Sequence, residues 1–229
     1  GDAMCIRIAF LLLFVFATDV SALTEYYIDP DYTGGTRNGQ AATPWQSLAD
    51  TVTNTPWTVI DTSLASDNVT VYWTARAAGS DIDETGTVGI NIIRTNTSTN
   101  RLILDGMSKY NSNDGTPSWS NYSGNARFAI TVTATSGATT ENFSSPYTHR
   151  DYITIRGFRF VATNQPVQIA NANHFIFEFN EVSAQSGASI GPGVVYLQEH
   201  VGDTVSANYA TDLIFRNNTV HNTFGECIY

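Results

Sequence analysis

Short runs of alternating hydrophobic and polar residues fill most of the chain after Val69, and one such pattern occurs three times in the last third. The three copies are Tyr152–Phe160, His174–Val182 and Asp212–Val220. Each copy has a short strand of alternating residues, then a corner formed by a polar residue or glycine, then a second short apolar strand. Ile155 and Phe177 are 22 residues apart, a spacing typical of one coil of a parallel β-helix. The third copy follows the second by 38 residues, so we expect an insertion or an extra partial coil between Val182 and Asp212.

The three copies align position by position. One step of the repeat holds Ile155, Phe177 and Phe215, and another holds Phe158, Asn180 and Asn218. Asparagines at equivalent corners predict a ladder, in which each side chain bonds backbone at the turn and its neighbour in the next coil. The alternative is that asparagine is simply a common turn residue.

Charged residues alternate with the apolar positions of the first copy. Arg156 and Arg159 are one residue out of phase with Ile155 and Phe158. We therefore expect both arginines to face solvent and to pair with Glu178 or Glu181 of the next coil.

A second set of strands is interleaved with the copies, at Pro166–Ala170, Gly193–Gln198 and Gly225–Tyr229. If their aliphatic positions face inward, the two-residue period of a strand places the intervening side chains outward on one sheet. The outward residues are then Gln168, Tyr196, Gln198 and Tyr229. Aromatic rings stack on the apolar faces of sugars, and amides bond to sugar hydroxyls. We predict that this row binds substrate and that the repeated copies form the back of the scaffold.

One helix is predicted near the start of the domain. Thr43 is suited to be the N-cap residue, Pro44 is suited to the first helical position, and Gln46 is suited to the third helical position. Apolar residues then follow at helical spacing, at Trp45, Leu48, Ala49 and Val52. We predict a helix over Pro44–Thr53 that caps the open end of the β-structure, because unpaired strand edges are normally covered.

The start of the chain predicts a secretory signal peptide. Met4–Arg7 is a short basic segment, Ile8–Ala17 is apolar, and Val20–Ala22 offers small residues for cleavage after Ala22. The apolar run is shorter than the roughly 18 residues of a membrane anchor. We therefore divide the chain into a signal peptide, residues 1–22 with three extra residues before Met4, and a β-helix domain, residues 23–229.

The chain stops at Tyr229, inside a predicted strand. A strand edge left without a cap is a template for further pairing. We expect the domain to be the N-terminal part of a longer β-helix, truncated at its C-terminal side.

Charge and cysteine content exclude two classes of protein. The formal net charge is −10, with 11 Lys+Arg against 21 Asp+Glu. Such a surface repels phosphate backbones, so nucleic-acid binding is not expected. Loss of Cys5 with the signal peptide leaves only Cys227, so a disulfide-stapled scaffold is not expected either.

Several short motifs occur in a recognisable order: Tyr26–Asp31 with Gly34 and Gly35, then Thr43–Leu48, Leu104–Gly106 and Asn217–Tyr229. Together they resemble the start of the secreted β-helix proteins of the pectate-lyase-like superfamily, loosely and over most of the exported chain. The resemblance implies an all-β fold, a right-handed parallel β-helix of three sheets. It also implies activity on acidic or neutral polysaccharides by β-elimination or hydrolysis.

Lyases of that superfamily use a Lys or Arg base, with Ca²⁺ or another cation at the uronate carboxylate. This sequence departs from that pattern, because Lys109, its only lysine, lies in a predicted loop and no aspartate cluster lies on the outward row. The resemblance therefore assigns no catalytic base. Ca²⁺ is expected as a cofactor only if the protein is a lyase, and no metal ligands are predicted.

The candidate catalytic residues are Glu199, His200 and Glu226. Glu199 and His200 directly follow Gln198, where a carboxylate and an imidazole can do acid–base work or hold a cation. Adjacent strand residues face opposite sides, however, which argues against a joint role. Glu226 lies near the same groove if Tyr196 and Tyr229 stack, and is otherwise a solvated turn residue.

Two functions from different classes remain. One is a secreted polysaccharide lyase or glycoside hydrolase acting along the groove of one sheet. The other is a non-catalytic adhesin or surface carbohydrate-binding protein. A base beside carboxylates, or a carboxylate pair at glycosidase spacing, would separate them. In both cases we expect an extracellular or periplasmic monomer with a polysaccharide partner and no membrane attachment after signal cleavage.

Overall fold

The computed structural model describes residues 23–29, 32–53, 55–73, 81–83, 88–95, 97–106, 130–134, 136–139, 151–162, 167–170, 172–184, 193–198, 212–221 and 226–228. The predicted signal peptide, Glu199, His200 and Tyr229 lie outside these residues. Within them the chain forms strands and one short helix. That helix is too short to cross a membrane, and the described residues hold no other candidate span.

The elements are, in chain order, β1 (Leu23–Ile28), α1 (Pro56–Leu64), β2 (Asn68–Trp73), β3 (Asp81–Asp83), β4 (Val88–Asn91), β5 (Leu102–Asp105), β6 (Ile130–Ala134), β7 (Ser136–Thr139) and β8 (Ile153–Arg156). They continue with β9 (Phe158–Ala162), β10 (Val167–Ala170), β11 (Ile176–Glu178), β12 (Glu181–Ala184), β13 (Gly193–Gln198), β14 (Ile214–Arg216), β15 (Thr219–His221) and β16 (Glu226–Ile228).

The strands form three parallel sheets. Sheet 1 has the order β1-β2-β5-β8-β11-β14, sheet 2 has β3-β6-β9-β12-β15, and sheet 3 has β4-β7-β10-β13-β16. From β2 onward, successive strands join sheets 1, 2 and 3 in turn. Each strand from β5 onward therefore pairs with the strand three before it. The prediction of an all-β parallel fold is confirmed at this level. Each repeated copy supplies one strand to sheet 1 and one to sheet 2.

Inward residues of sheet 1 stack in register through the core. Phe177 pairs with Ile155 on one side and Phe215 on the other, as the aligned copies predict. The rings of Phe177 and Phe215 have centroids 5.6 Å apart, and Phe160 of sheet 2 lies 6.0 Å from Phe177. Burying rings of this size supplies much of the hydrophobic stabilisation of a domain.

The asparagine ladder is present at the corner between sheets 1 and 2. Asn180 Oδ1 accepts from the N–H of Phe158 at 2.9 Å, and Asn180 Nδ2 donates to the carbonyl of Ile155 at 3.0 Å. Asn218 makes the two equivalent bonds at the corner after β14: its Oδ1 accepts from the Asn180 N–H and its Nδ2 donates to Phe177 O. Each amide therefore bonds the backbone of the preceding corner and strand and satisfies groups that the sharp corner takes out of the sheet.

The corners on both sides of β8, β11 and β14 in sheet 1 use left-handed backbone. Tyr152, His174 and Asp212 precede successive strands with φ of 56°, 53° and 54°, and Gly157, Phe179 and Asn217 follow them with φ of 74°, 55° and 56°. Such φ values are uncommon outside glycine and persist where surrounding contacts hold them. The repetition shows that β8, β11 and β14 begin and end with the same corner geometry.

The predicted helix over Pro44–Thr53 is wrong. The Trp45 N–H donates to Tyr27 O at 3.0 Å and the Trp45 carbonyl accepts from Asp29 N–H at 2.7 Å, so this residue is bound to the edge of β1. Asp50 accepts from the N–H groups of Gln46 and Val52, which replaces helical bonds by local turns.

The helix lies instead at α1, with Thr55 as its N-cap residue and Pro56 in its first turn. Trp57, Ile60 and Leu64 point into the core shared with β2 and β5. The Leu64 carbonyl accepts from Ser98 Oγ and from Asn100 Nδ2, the latter at 2.8 Å, which caps the C-terminal end with side chains.

Candidate functional site

The sequence-predicted binding row falls on sheet 3. Gln168 of β10 is the register partner of Tyr196 of β13, and Ala170 is the partner of Gln198. Glu226 of β16 is the partner of Gly193. The substrate-binding role of Gln168, Tyr196 and Gln198, and the catalytic role of Glu226, stay predictions, as do the roles of Glu199, His200 and Tyr229.

The outward face of sheet 1 carries a second ordered surface, which we call the outer strip. It consists of three columns that run across strands β5, β8, β11 and β14, with neighbouring strands about 4.8 Å apart. The middle column is Ile103, Thr154, Ile176 and Ile214, and the third column is Asp105, Arg156, Glu178 and Arg216. The first column is formed by residues just before these strands, whose side chains contact one another in succession: Arg101, Tyr152, His174 and Asp212.

The third column alternates in charge and is paired. Arg156 donates through Nε and Nη2 to Asp105 Oδ2, at 2.9 and 2.7 Å. Arg216 contacts Glu178 Oε2 through the same two nitrogens, at 2.7 and 2.6 Å. The expected pairing of Arg156 with Glu178 is therefore wrong: Arg156 lies between two carboxylates in register and binds the one in the coil before it. Both carboxylates are buried, so the guanidinium groups replace much of their lost hydration.

The first column is a stack of flat groups. The guanidinium carbon of Arg101 lies 6.0 Å from the ring centroid of Tyr152, within cation–π range. The rings of Tyr152 and His174 stack at 4.4 Å with 22° between their planes. His174 Nδ1 lies 2.9 Å from Asp212 Oδ2 at the end of the column.

Arg101 also links β8 to the segment just before β11. Its Nη1 donates to Ile153 O and Thr154 Oγ1, each at 3.3 Å, and to His174 O at 2.9 Å. Burial lowers the pKa of this guanidinium, and the bonds to backbone carbonyls compensate for its desolvation.

The middle column is apolar at its β11 and β14 end. Thr154 is buried beneath Arg101, Ile176 is half-buried, and Ile214 is 42% exposed. The strip thus has an aliphatic floor between two polar edges. Sequence analysis missed it because the copies were assigned to the back of the scaffold. The alternation of Arg156, Glu178 and Arg216 at equivalent steps was the signal that could have revealed it.

The same face continues on β1 and β2 with a tyrosine pair around one carboxylate. Glu25 accepts from the hydroxyls of Tyr27 at 2.8 Å and Tyr72 at 3.4 Å. Burial, followed by the charge of Glu25, raises the pKa of Tyr72 to about 12. Burial and the hydrogen bond to Glu25 also raise the pKa of Tyr27.

We expect these tyrosines to make stability fall steeply in strong alkali. The unfolded phenol ionises near pH 10, whereas folded Tyr72 keeps its proton to about pH 12. The contribution of the tyrosines to the free energy of unfolding is therefore complete below pH 10, and it is lost as the pH rises through their folded-state pKa. Urea unfolding between these limits should show a shallower decline for Tyr72→Phe than for the parent chain, and equal slopes would contradict the assignment.

Sheet 2 holds a smaller charged group. Glu181 Oε1 lies 3.4 Å from Arg159 Nε and 2.7 Å from His221 Nε2. The expected pairing of Arg159 with Glu181 is confirmed. This group lies on a different sheet from the outer strip. A change of charge at Glu181 can therefore serve as a control for the same change of charge within the strip.

A separate open cleft of 530 Å³ lies beside α1, lined by Thr58, Asp61, Ile93 and Thr95 among others. Asp61 Oδ2 accepts from the N–H and hydroxyl of Thr95, at 2.9 and 2.5 Å. None of its lining residues belongs to the outer strip. Among the described residues, no three His, Cys, Asp or Glu side chains are grouped so that they could hold a metal ion.

No protein-family model, curated protein or solved structure matches this chain.

Proposed function

We propose that the chain winds as a right-handed parallel β-helix and binds a polysaccharide along the outer strip of sheet 1. The regular passage of successive strands through sheets 1, 2 and 3 supports the helical winding. Crossovers between parallel strands of one sheet are right-handed in about 98% of cases, which supports the handedness.

The observation that carries the binding proposal is the three-column geometry of the strip. Ile176 and Ile214 offer aliphatic surface to the CH faces of sugar rings, while the exposed carboxylate of Asp212 at one edge offers acceptors and the exposed guanidinium of Arg216 at the other offers donors to hydroxyls. A linear polysaccharide presents such groups again and again along one axis. Contacts repeated from strand to strand suit a ligand of that kind better than a compact metabolite, which fills an enclosed pocket.

Cleavage by a lyase or a glycoside hydrolase is the second proposal, and the sheet 3 row of Gln168, Tyr196 and Gln198 is its expected groove. Binding without cleavage is favoured at the outer strip, because Asp105 and Glu178 each contact a guanidinium there. The predicted signal peptide is in keeping with a polysaccharide met outside the cell.

The proposal is tested by affinity electrophoresis of the full chain against neutral glucans, xylans and galactans and against pectate and alginate. Ile214→Asp should weaken binding of the retained polysaccharide about tenfold, because a carboxylate must then be desolvated beneath a sugar face. Val52→Asp is the matched control, since Val52 is a similarly exposed aliphatic residue, 50% against 42%, away from the strip.

Three outcomes are distinguished. Failure to retain any polysaccharide would refute the proposed function. Equal loss in Ile214→Asp and Val52→Asp would refute the outer strip as the site, and Tyr196→Ala would then test the sheet 3 row. Release of unsaturated product or reducing ends, measured with and without Ca²⁺, would establish cleavage.

A further inference from the structure

We propose that the outer strip selects uncharged polysaccharides and discriminates against polyuronates. This inference rests on the proposed polysaccharide binding and names the substrate class of the same surface. It depends on how the charges of the strip are arranged.

The guanidinium groups that could recognise a uronate are already engaged. Arg216 is the most exposed of them, with 57% of its side chain open to solvent, yet its Nε and Nη2 both contact Glu178. A ligand carboxylate binds arginine best through two parallel hydrogen bonds. The second edge of the guanidinium, formed by Nη1 and Nη2, can still reach a ligand, but its charge is already balanced by Glu178, so a uronate carboxylate bound there gains little net attraction.

The overall charge of the protein adds to the discrimination against polyuronates. The strip offers a uronate no excess positive charge, because its three arginines are balanced by Asp105, Glu178 and Asp212, and the whole chain has a formal net charge of −10. A polyuronate brings one negative charge per sugar, so its approach is opposed at low ionic strength. A neutral chain meets no such cost.

Sugar hydroxyls suit the paired arrangement because each can both donate and accept. Arg216, whose side chain is 57% exposed, keeps donors for such bonds without breaking its ion pair with Glu178, and Ile214 provides apolar contact beside it. The strip therefore offers full complementarity to an uncharged ring.

The experiment uses Glu178→Gln, which removes the partner of Arg216 and leaves an exposed cation in the strip. We expect binding to polygalacturonate and alginate to increase about two- to fivefold over the parent chain at low salt, the value of one exposed ion pair. The increase should vanish at about 0.5 M NaCl, where such contacts are screened. Binding to neutral polysaccharide should persist in the parent chain at both salt concentrations.

Glu181→Gln is the matched control. It releases Arg159, whose side chain is 45% exposed, but on sheet 2 and outside the strip. The same change of net charge should therefore give no increase in polyuronate binding. An equal increase in both variants would overturn the proposal, because general charge rather than the strip would then govern binding.

Arg216→Gln provides an independent test should Glu178→Gln unfold, as judged by circular dichroism. We expect it to leave the weak polyuronate retention of the parent chain unchanged. Salt-sensitive retention of polyuronates by the parent chain that is lost in Arg216→Gln would overturn the inference while leaving polysaccharide binding intact. Retention of neither class would refute the proposed function as well.

Discussion

Replacing Arg94 with methionine is expected to lower the free energy of unfolding by about 2–4 kcal/mol, the cost of removing a charged donor from buried carbonyls. Arg94 is only 1% exposed. Its guanidinium donates to Asp151 O and Ser98 O, both at 2.6 Å, and to Tyr152 O at 3.2 Å. Methionine fills similar volume but donates nothing, so the corner before β8 loses its attachment to the segment after β4.

Burial lowers the pKa of Arg94, with the nearby charges of Asp61 and Asp151 opposing that shift. The guanidinium nonetheless donates hydrogen bonds to backbone carbonyls of two separate segments. Urea denaturation of the full chain measures the change. Arg159→Met is the control, because Arg159 is exposed and its pair with Glu181 should contribute less than about 1 kcal/mol. Similar losses for the two variants would show that Arg94 does not hold these segments together.

Replacing Asn180 with alanine is expected to cost about 2–4 kcal/mol, because two buried backbone groups lose their partners. Asn180 is fully buried, and its amide serves both Phe158 N–H and Ile155 O. Asn218→Ala removes the same pair of bonds at a half-buried position and should cost less, since water can reach the released groups. A larger loss at Asn218 than at Asn180 would contradict this account of the ladder.

Asn180→Asp gives the ladder a pH signature. An ionised aspartate accepts from Phe158 N–H but cannot donate to Ile155 O, and its charge is buried. We expect it to be more destabilising than alanine at neutral pH and to recover as the pH falls, because a protonated carboxyl can again donate. Equal destabilisation across the acid range would show that the donor function of the amide is unimportant.

The asparagine ladder and the apolar stack were predictable because they depend on position within a repeat. When Ile155, Phe177 and Phe215 occupy equivalent steps, parallel pairing in register places them beside one another. The same logic locates Gln168 beside Tyr196 on sheet 3. These relations need only the strand period and the spacing of the copies.

The position of the helix was not predictable from local signals. Thr43, Pro44 and Gln46 satisfy the capping pattern, but the backbone of Trp45 pairs with β1 and Arg37 binds Asp50 at 3.2 Å. Contacts with another segment outweigh helix propensity, which contributes only tenths of a kcal/mol per residue.

The amino-acid sequence by itself therefore determined most of the strands and the inward and outward alternation within the repeated copies, because each follows from a period of two and a repeat of fixed length. Only the tertiary structure decided the choice between Asp105 and Glu178 as the partner of Arg156, and the assembly of the outer strip. Both carboxylates are register neighbours of this arginine, so spacing alone cannot choose between them. The choice depends on which side-chain geometry best replaces lost hydration at a buried carboxylate, and that is settled when the coils pack together.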